Sequence, residues 1–136
     1  MIIGFTGTRA GLTPGQREQI VEYLELAHHV VHGDCIGADA AFHELALEMG
    51  IPVTLHPPVD PSRRAFCSGA SAIMPALPYL ERNRAIVARS DLLIGAPKET
   101  REPIPMRGQG TWSTIRYDRK QRCPLVIVWP RSKGTE

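Results

Sequence analysis

The sequence predicts an α/β fold, a doubly wound and mostly parallel sheet of five strands. Short apolar runs alternate along the chain with amphipathic stretches of helix length, the pattern of a parallel sheet with helical crossovers. Three glycine-containing segments fall where the apolar runs end or a following helix begins. No apolar run approaches the roughly 18 residues of a membrane span, and the longest, Leu125 to Trp129, is of strand size.

The elements follow in order. Ile2 to Phe5 is a first strand, and Thr6-Gly7-Thr8-Arg9 is the loop behind it. Thr13-Pro14-Gly15-Gln16 opens a helix, with Thr13 as N-cap, Pro14 at the first helical position and Gln16 closing a capping box. Ile20, Val21, Leu24 and Ala27 form its buried stripe. His28 and His29 end it, where the partial negative charge of a helix C-terminus suits them. Val30 to His32 is the second strand. Gly33-Asp34-Cys35-Ile36-Gly37-Ala38-Asp39 turns directly into a second helix, with Ala38, Ala41, Phe42, Leu45 and Met49 inward and Gly50 as its stop. Val53 to His56 is the third strand.

Pro57 to Pro78 is too long and too rich in proline for a plain connection, and reads as a functional flap or a disordered loop. Tyr79 to Arg89 is a helix with Tyr79, Ile86 and Val87 inward, and Asp91 to Gly95 a fourth, central strand. Ala96 to Gln109 is a second long loop. The last helix runs from Gly110 to about Lys120, the fifth strand spans Pro124 to Trp129, and a polar tail follows from Pro130.

At 136 residues, 43% hydrophobic and 22% charged, the chain has the size and balance of one domain spanning its whole length. Folding at this mass buries roughly 68% of the unfolded surface, enough for a core without staples. The three cysteines cannot all pair and have no metal-ligand spacing, so reduced thiols and no metal are expected. The start lacks the basic n-region of a signal peptide, so the expected location is cytoplasmic, with no membrane association.

The net charge of +2 hides an asymmetry: Arg17 is the one Arg or Lys between Gly11 and Asp60, whereas the chain after Arg101 is basic. Such a bias suits an anionic ligand or a nucleic acid, and equally a solvated helix face.

In an open α/β sheet, ligands bind beyond the carboxyl ends of the strands. The segments G-T-R, G-D-C-I-G-A-D and G-Q-G-T all fall at that edge. Glycine lets backbone approach a ligand, and the helix behind presents unpaired N–H groups to an anion. Neither G-x-G-x-x-G nor GxxxxGK[ST] occurs, so neither a dinucleotide site nor a kinase-type P-loop is indicated, and no cofactor is implied. Asp39 stands in a helical first turn, where an acid is either simply favourable or an acceptor for ribose hydroxyls. Arg82 and Asn83 offer a bidentate anion binder and an amide, and Arg9 a further cation. Thr111 and Thr114 either cap the last helix or bind a phosphate. Trp112, Tyr117 and Trp129 read as core packing. His32 and His56 are the two histidines near the ligand edge, yet no Ser-His-Asp order, G-x-S-x-G elbow or paired-carboxylate motif accompanies them.

Taken in order, G-F-T-G-T-R, H-G-D-C-I-G-A-D, Y-L-E-R-N-R and G-T-W-S-T-I-R-Y resemble the SLOG superfamily. That group holds the Lonely Guy-type nucleoside-monophosphate phosphoribohydrolases and the Smf/DprA DNA-processing proteins. The resemblance spans Met1 to Trp129. With H-P-P, the long loop and P-Y-L-E-R-N, it points to small stand-alone DprA-like members. It implies a three-layer α/β/α, Rossmann-like domain that binds a nucleotide or nucleotide-derived ligand, as a sensor or processing domain. Gly7, Thr8 and Arg9 would line the first loop, and Gly33, Asp34, Gly37, Ala38 and Asp39 the second. Arg82 and Asn83 would line the third, Gly110 and Thr111 would hold the phosphate at the last helix, and Gly108 and Thr114 would be further ligand-binding residues there.

One departure bears on activity. Lonely Guy enzymes carry P-G-G-x-G-T-x-x-E, and here Thr114 stands in place of the glutamate that assists N-glycosidic cleavage. A threonine supplies no carboxylate. Two alternatives therefore stand beside the binding role. One is a nucleoside 5′-monophosphate N-glycosidic hydrolase, with Asp34, Asp39 or Glu81 supplying the carboxylate. The other is a DprA-like protein that binds single-stranded DNA through its basic C-terminal half, where no stacking row of aromatics is evident. Relatives commonly self-associate, so a homodimer is expected.

Overall fold

In the computed structural model, residues 1–104 and 110–130 are described, and six parallel strands make one sheet. In chain order the elements are β1 (Ile2–Gly7), α1 (Pro14–Leu24), β2 (His29–His32), α2 (Ala38–Glu48), β3 (Val53–Leu55), β4 (Ala72–Ile73), α3 (Tyr79–Arg89), β5 (Leu92–Ala96), α4 (Gly110–Gln121) and β6 (Leu125–Ile127). The sheet order is β4-β3-β2-β1-β5-β6. The chain thus builds outward from β1 on one side, then returns to lay β5 and β6 on the other. Where β1 and β5 part at their carboxyl ends, the order reverses, and the two neighbouring connections leave a crevice.

The α/β class and the doubly wound plan are those the sequence predicts, with one strand more. β4 lies inside the stretch read as flap or loop, pairing Thr54 with Ala72 and Leu55 with Ile73. Both its residues are exposed and two residues carry no alternation, so the strand exists through its pairing with β3 and leaves no pattern in sequence.

The capping box at α1 forms as read: Gln16 N–H donates to Thr13 Oγ1 at 3.1 Å, and Thr13 N–H to Gln16 Oε1 at 3.0 Å. The buried Gln16 amide also donates to the carbonyls of Pro97 and Val128, both at 2.9 Å, fastening the helix start to the chain beyond β5 and β6. The helix stops at Leu24, before Ala27, and His29 belongs to β2 rather than to a helix end. Its Nε2 meets Thr54 Oγ1 at 2.7 Å.

Two apolar layers flank the sheet. On one face Ile20 and Leu24 of α1 and Phe42 and Ala46 of α2 pack on Ile3, Phe5, Val30 and Val53. There Phe5 and Phe42 stack with ring centroids 4.3 Å apart. On the other face Ile86 and Val87 of α3 meet Val31 and Leu93, with Tyr117 of α4 alongside. Met49 and Tyr79, read as inward, are 37% and 38% exposed, because Ala46 already closes the α2 stripe and Tyr79 begins its helix at the crevice. Among the described residues no helix is long and apolar enough to cross a membrane.

Candidate functional site

Glycine brings the first two loops together. A Cβ on Gly7 would stand 2.5 Å from that of Ala38, so β1 and the start of α2 touch only because residue 7 has none. Ala38 N–H donates to the Thr8 carbonyl at 2.9 Å. Gly37, at φ +100°, lies against the Arg9 backbone. The first free amide of α2 is therefore taken by the neighbouring loop, and Gly37 and Ala38 form a seam behind the site rather than an open anion cradle.

In front of that seam lies a cavity of about 260 Å³. One wall is Phe5, Thr6, Gly7, Thr8 and Arg9; the floor is Gly33, Cys35, Asp39, Arg82 and Asn83. Lys98 and Glu99 beyond β5, with Gly110, Thr111 and Trp112 of α4, make the opposite wall, and Ile36, Arg63, Tyr79 and Ile86 complete the lining.

Arg82 is the dominant charge in the floor. It is 3% exposed, and its Nη1 donates to the Gly33 carbonyl at 3.0 Å and to Cys35 Sγ at 3.4 Å. Its guanidinium lies 4.8 Å from the centroid of the Tyr79 ring. Its Nε has no hydrogen-bond partner among the described residues, and Asn83 beside it is also buried. Among the described residues no carboxylate pairs with Arg82 within ion-pair distance.

Asp39 shares the floor and accepts the Cys35 N–H at 3.0 Å through Oδ2. Burial pushes its carboxyl up to about 6, against the downward pull of Arg82 and of the Cys35 and Gly33 amides. Burial likewise raises the Cys35 thiol, with Asp39 adding to it, so the sulfur is a neutral thiol at neutral pH. The floor offers a buried guanidinium, the Asn83 amide and a carboxyl near its own midpoint.

No sequence-family model matches the chain, and no curated protein matches it in sequence. Solved structures are similar in shape. The molybdenum cofactor binding protein of the phototrophic bacterium Rippkaea orientalis superposes with a TM-score of 0.67 and 20% identity, over 93% of this chain and 74% of that one. The Moco carrier protein of Chlamydomonas reinhardtii gives 0.65 and 17%, over 93% and 75%. DNA processing protein A of Helicobacter pylori, solved for its single-stranded DNA binding mode, gives 0.61 and 19%, over 93% of this chain and 64% of that one. The chain shares their fold. At these identities the likeness is one of architecture, and a DNA processing protein A among the neighbours agrees with the SLOG resemblance of the motifs.

Of the residues singled out in sequence, the structure brings Gly7, Thr8, Arg9, Gly33, Asp39, Arg82, Asn83, Gly110 and Thr111 to the cavity. It places others elsewhere. Thr114 is buried and donates to the Gly110 carbonyl at 3.0 Å. Glu81 is exposed on α3. Gly108 lies outside the described residues.

Asp34 is fully buried in a left-handed backbone, φ +53°, with its carboxylate turned from the cavity. It accepts from Arg64 Nε at 2.8 Å and the Cys67 N–H at 2.9 Å, while its own carbonyl takes the Ala65 N–H at 2.8 Å. Asp34 is a clamp on the segment between β3 and α3.

His32 extends that clamp. Its Nδ1 accepts the Asp34 N–H at 3.0 Å, which assigns the ring hydrogen to Nε2; this is donated to His43 Nδ1 at 2.9 Å. His43 Nε2 in turn donates to the Ser68 carbonyl at 2.7 Å. Cys67 Sγ and the two facing nitrogens lie within 4.8 Å of one another. Because His32 turns a hydrogen rather than a lone pair toward that space, the two histidines form a hydrogen-bonded relay, with Cys67 Sγ alongside, rather than a metal cage. Burial pushes His32 down to about 3 and His56 down to about 4, and neither lines the cavity.

Sequence reasoning missed Cys35, Ile36, Arg63, Tyr79, Lys98 and Glu99 as lining residues. Cys35 and Ile36 stand within the G-D-C-I-G-A-D segment and could have been included on position alone, whereas Arg63, Lys98 and Glu99 come from irregular loops with no period to read. Trp112 is buried as expected of a core residue, yet it also lines the cavity and donates through Nε1 to Glu99 Oε1 at 3.1 Å.

Proposed function

We propose that this chain binds an anionic nucleotide or nucleotide-derived ligand at the carboxyl edge of its sheet, as a sensor or processing domain. The carrying observation is Arg82: a buried guanidinium whose Nε has no partner among the described residues, lining a cavity at the topological switch. A buried charge is costly unless paired, and a phosphate or carboxylate oxygen in the cavity completes it. Asp39 beside it suits the hydroxyls of a ribose, and Arg9, Arg63 and Lys98 surround the cavity with further positive charge.

A thermal-shift panel of nucleoside monophosphates, cyclic nucleotides, NAD, ADP-ribose and a short single-stranded oligonucleotide tests this. A ligand at a hundredfold over its Kd adds about 2.7 kcal/mol, several degrees for a domain of this size. Arg82→Lys should abolish the shift, since an ammonium cannot reproduce the guanidinium fork. A flat panel with the wild-type chain overturns the reading. A shift with the oligonucleotide alone, falling steeply with salt, replaces it with nucleic-acid binding.

Asp39 favours a second reading, hydrolysis of the N-glycosidic bond of a nucleoside 5′-monophosphate. A buried carboxyl at about 6 is poised for proton transfer near neutral pH. Release of free base that disappears in Asp39→Asn supports hydrolysis; no release at high protein concentration removes it.

A further inference from the structure

Tyr79 joins two parts of the cavity that the chain supplies separately. It opens α3, and its ring lies under the guanidinium of Arg82 one helical turn on. Its hydroxyl reaches across to the first residue of α4. A Cβ on Gly110 would coincide with the phenol oxygen, so the contact exists only with glycine there. The hydroxyl thus stands, beside the buried Asn83 amide, between the guanidinium of Arg82, whose Nε has no partner among the described residues, and the first turn of a twelve-residue helix. Burial raises the phenol above its ordinary value, so at neutral pH it keeps its hydrogen and can donate it.

We propose that Tyr79 is a ligand-contacting residue whose hydroxyl donates to an anionic oxygen seated between Arg82 and the start of α4, making the cavity select phosphorylated over unphosphorylated ligands. The inference rests on the anionic-ligand reading above and adds the group that reads the anion. Stacking on Arg82 and the fit against Gly110 hold the hydroxyl in place before any ligand arrives, so little ordering is needed on binding. An oxyanion accepts several donors at once, and hydrogen bonds to a charged acceptor are the strong ones.

The test is calorimetric titration of the wild type, Tyr79→Phe and Gly110→Ala with 5′-AMP and 5′-GMP, and with adenosine and guanosine. Tyr79→Phe keeps the ring on Arg82 and removes only the donor. It should weaken the monophosphates about tenfold and leave the nucleosides unchanged. Gly110→Ala displaces the hydroxyl and should give the same pattern; should it fail to fold, Tyr79→Phe decides alone. A Tyr79→Phe variant that binds monophosphates as the wild type does overturns the inference while the anionic-ligand reading stands. An equal loss for nucleosides and monophosphates overturns it too, because it shows a packing role. Failure of the wild type to bind any of the four overturns both.

Discussion

Arg82 Nη1 donates to the Gly33 carbonyl at 3.0 Å, and a side chain on Gly33 would occupy the place of that same nitrogen. The virtual Cβ would also lie 3.1 Å from Asp39 Oδ2. Glycine at 33 therefore lets a cation and a carboxyl from two helices meet over one backbone.

Gly33→Ala should displace the guanidinium and cost about 1–3 kcal/mol of stability, the usual range for overpacking. Any ligand that depends on Arg82 should be lost with it. Urea unfolding and the nucleotide panel measure the two effects separately; unchanged stability and unchanged binding together would show that Arg82 has room to move.

Asp39 should impose a pH-dependent stability cost. Its folded-state value of about 6 lies above the ordinary 3.8, so the folded chain holds a proton that the unfolded chain has released between those limits. The contribution is favourable below about pH 4 and is lost as pH rises through 6. Asp39→Asn should raise Tm at pH 8 and lose that advantage at pH 4.5, while weakening any ligand that needs the carboxylate. Paired melts at the two pH values check the sign.

Asp118 on α4 behaves the same way with no ligand involved. It is fully buried, and burial pushes it up to about 6 against the opposing pull of a hydrogen bond from the Cys123 thiol and of Arg119. Asp118→Asn should stabilise the chain at pH 8 relative to pH 4.5 and leave the nucleotide panel as it was. An altered panel would tie this carboxyl to the cavity.

Removing the clamp should loosen the segment between β3 and α3 rather than empty the cavity. Asp34→Ala strips Arg64 and the Cys67 amide of their acceptor and should cost about 2 kcal/mol, with faster proteolysis near residues 64 to 68. Base release lost in Asp34→Ala at full ligand binding would instead return Asp34 to the chemistry.

The parts of the fold legible in sequence are those made by local chemistry. Thr13 and Gln16 cap each other across three residues, and five apolar runs mark five strands. β4 was not legible because its two exposed residues acquire strand geometry only from β3. The glycine loops could be assigned to one edge because parallel topology puts every strand's carboxyl end there. As candidate carboxylates for hydrolysis Asp34 and Asp39 stand equal in sequence, five residues apart in one segment. What separates them is the left-handed backbone at Asp34, which aims one carboxylate at Arg64 and leaves the other over the cavity. The place of Tyr79 was equally hidden, since its partner Gly110 lies 31 positions further along the chain.

The relay from Asp34 through His32 and His43 to Ser68 runs one way. It begins at a backbone N–H that can only give and ends at a carbonyl that can only receive, so neither imidazole can change tautomer without breaking a bond at one end. The two ring dipoles are therefore locked head to tail, a small permanent polarisation built into the flank of the sheet. Its signature is spectroscopic: two sheltered imidazole N–H hydrogens that exchange with solvent only when the segment around Ser68 opens.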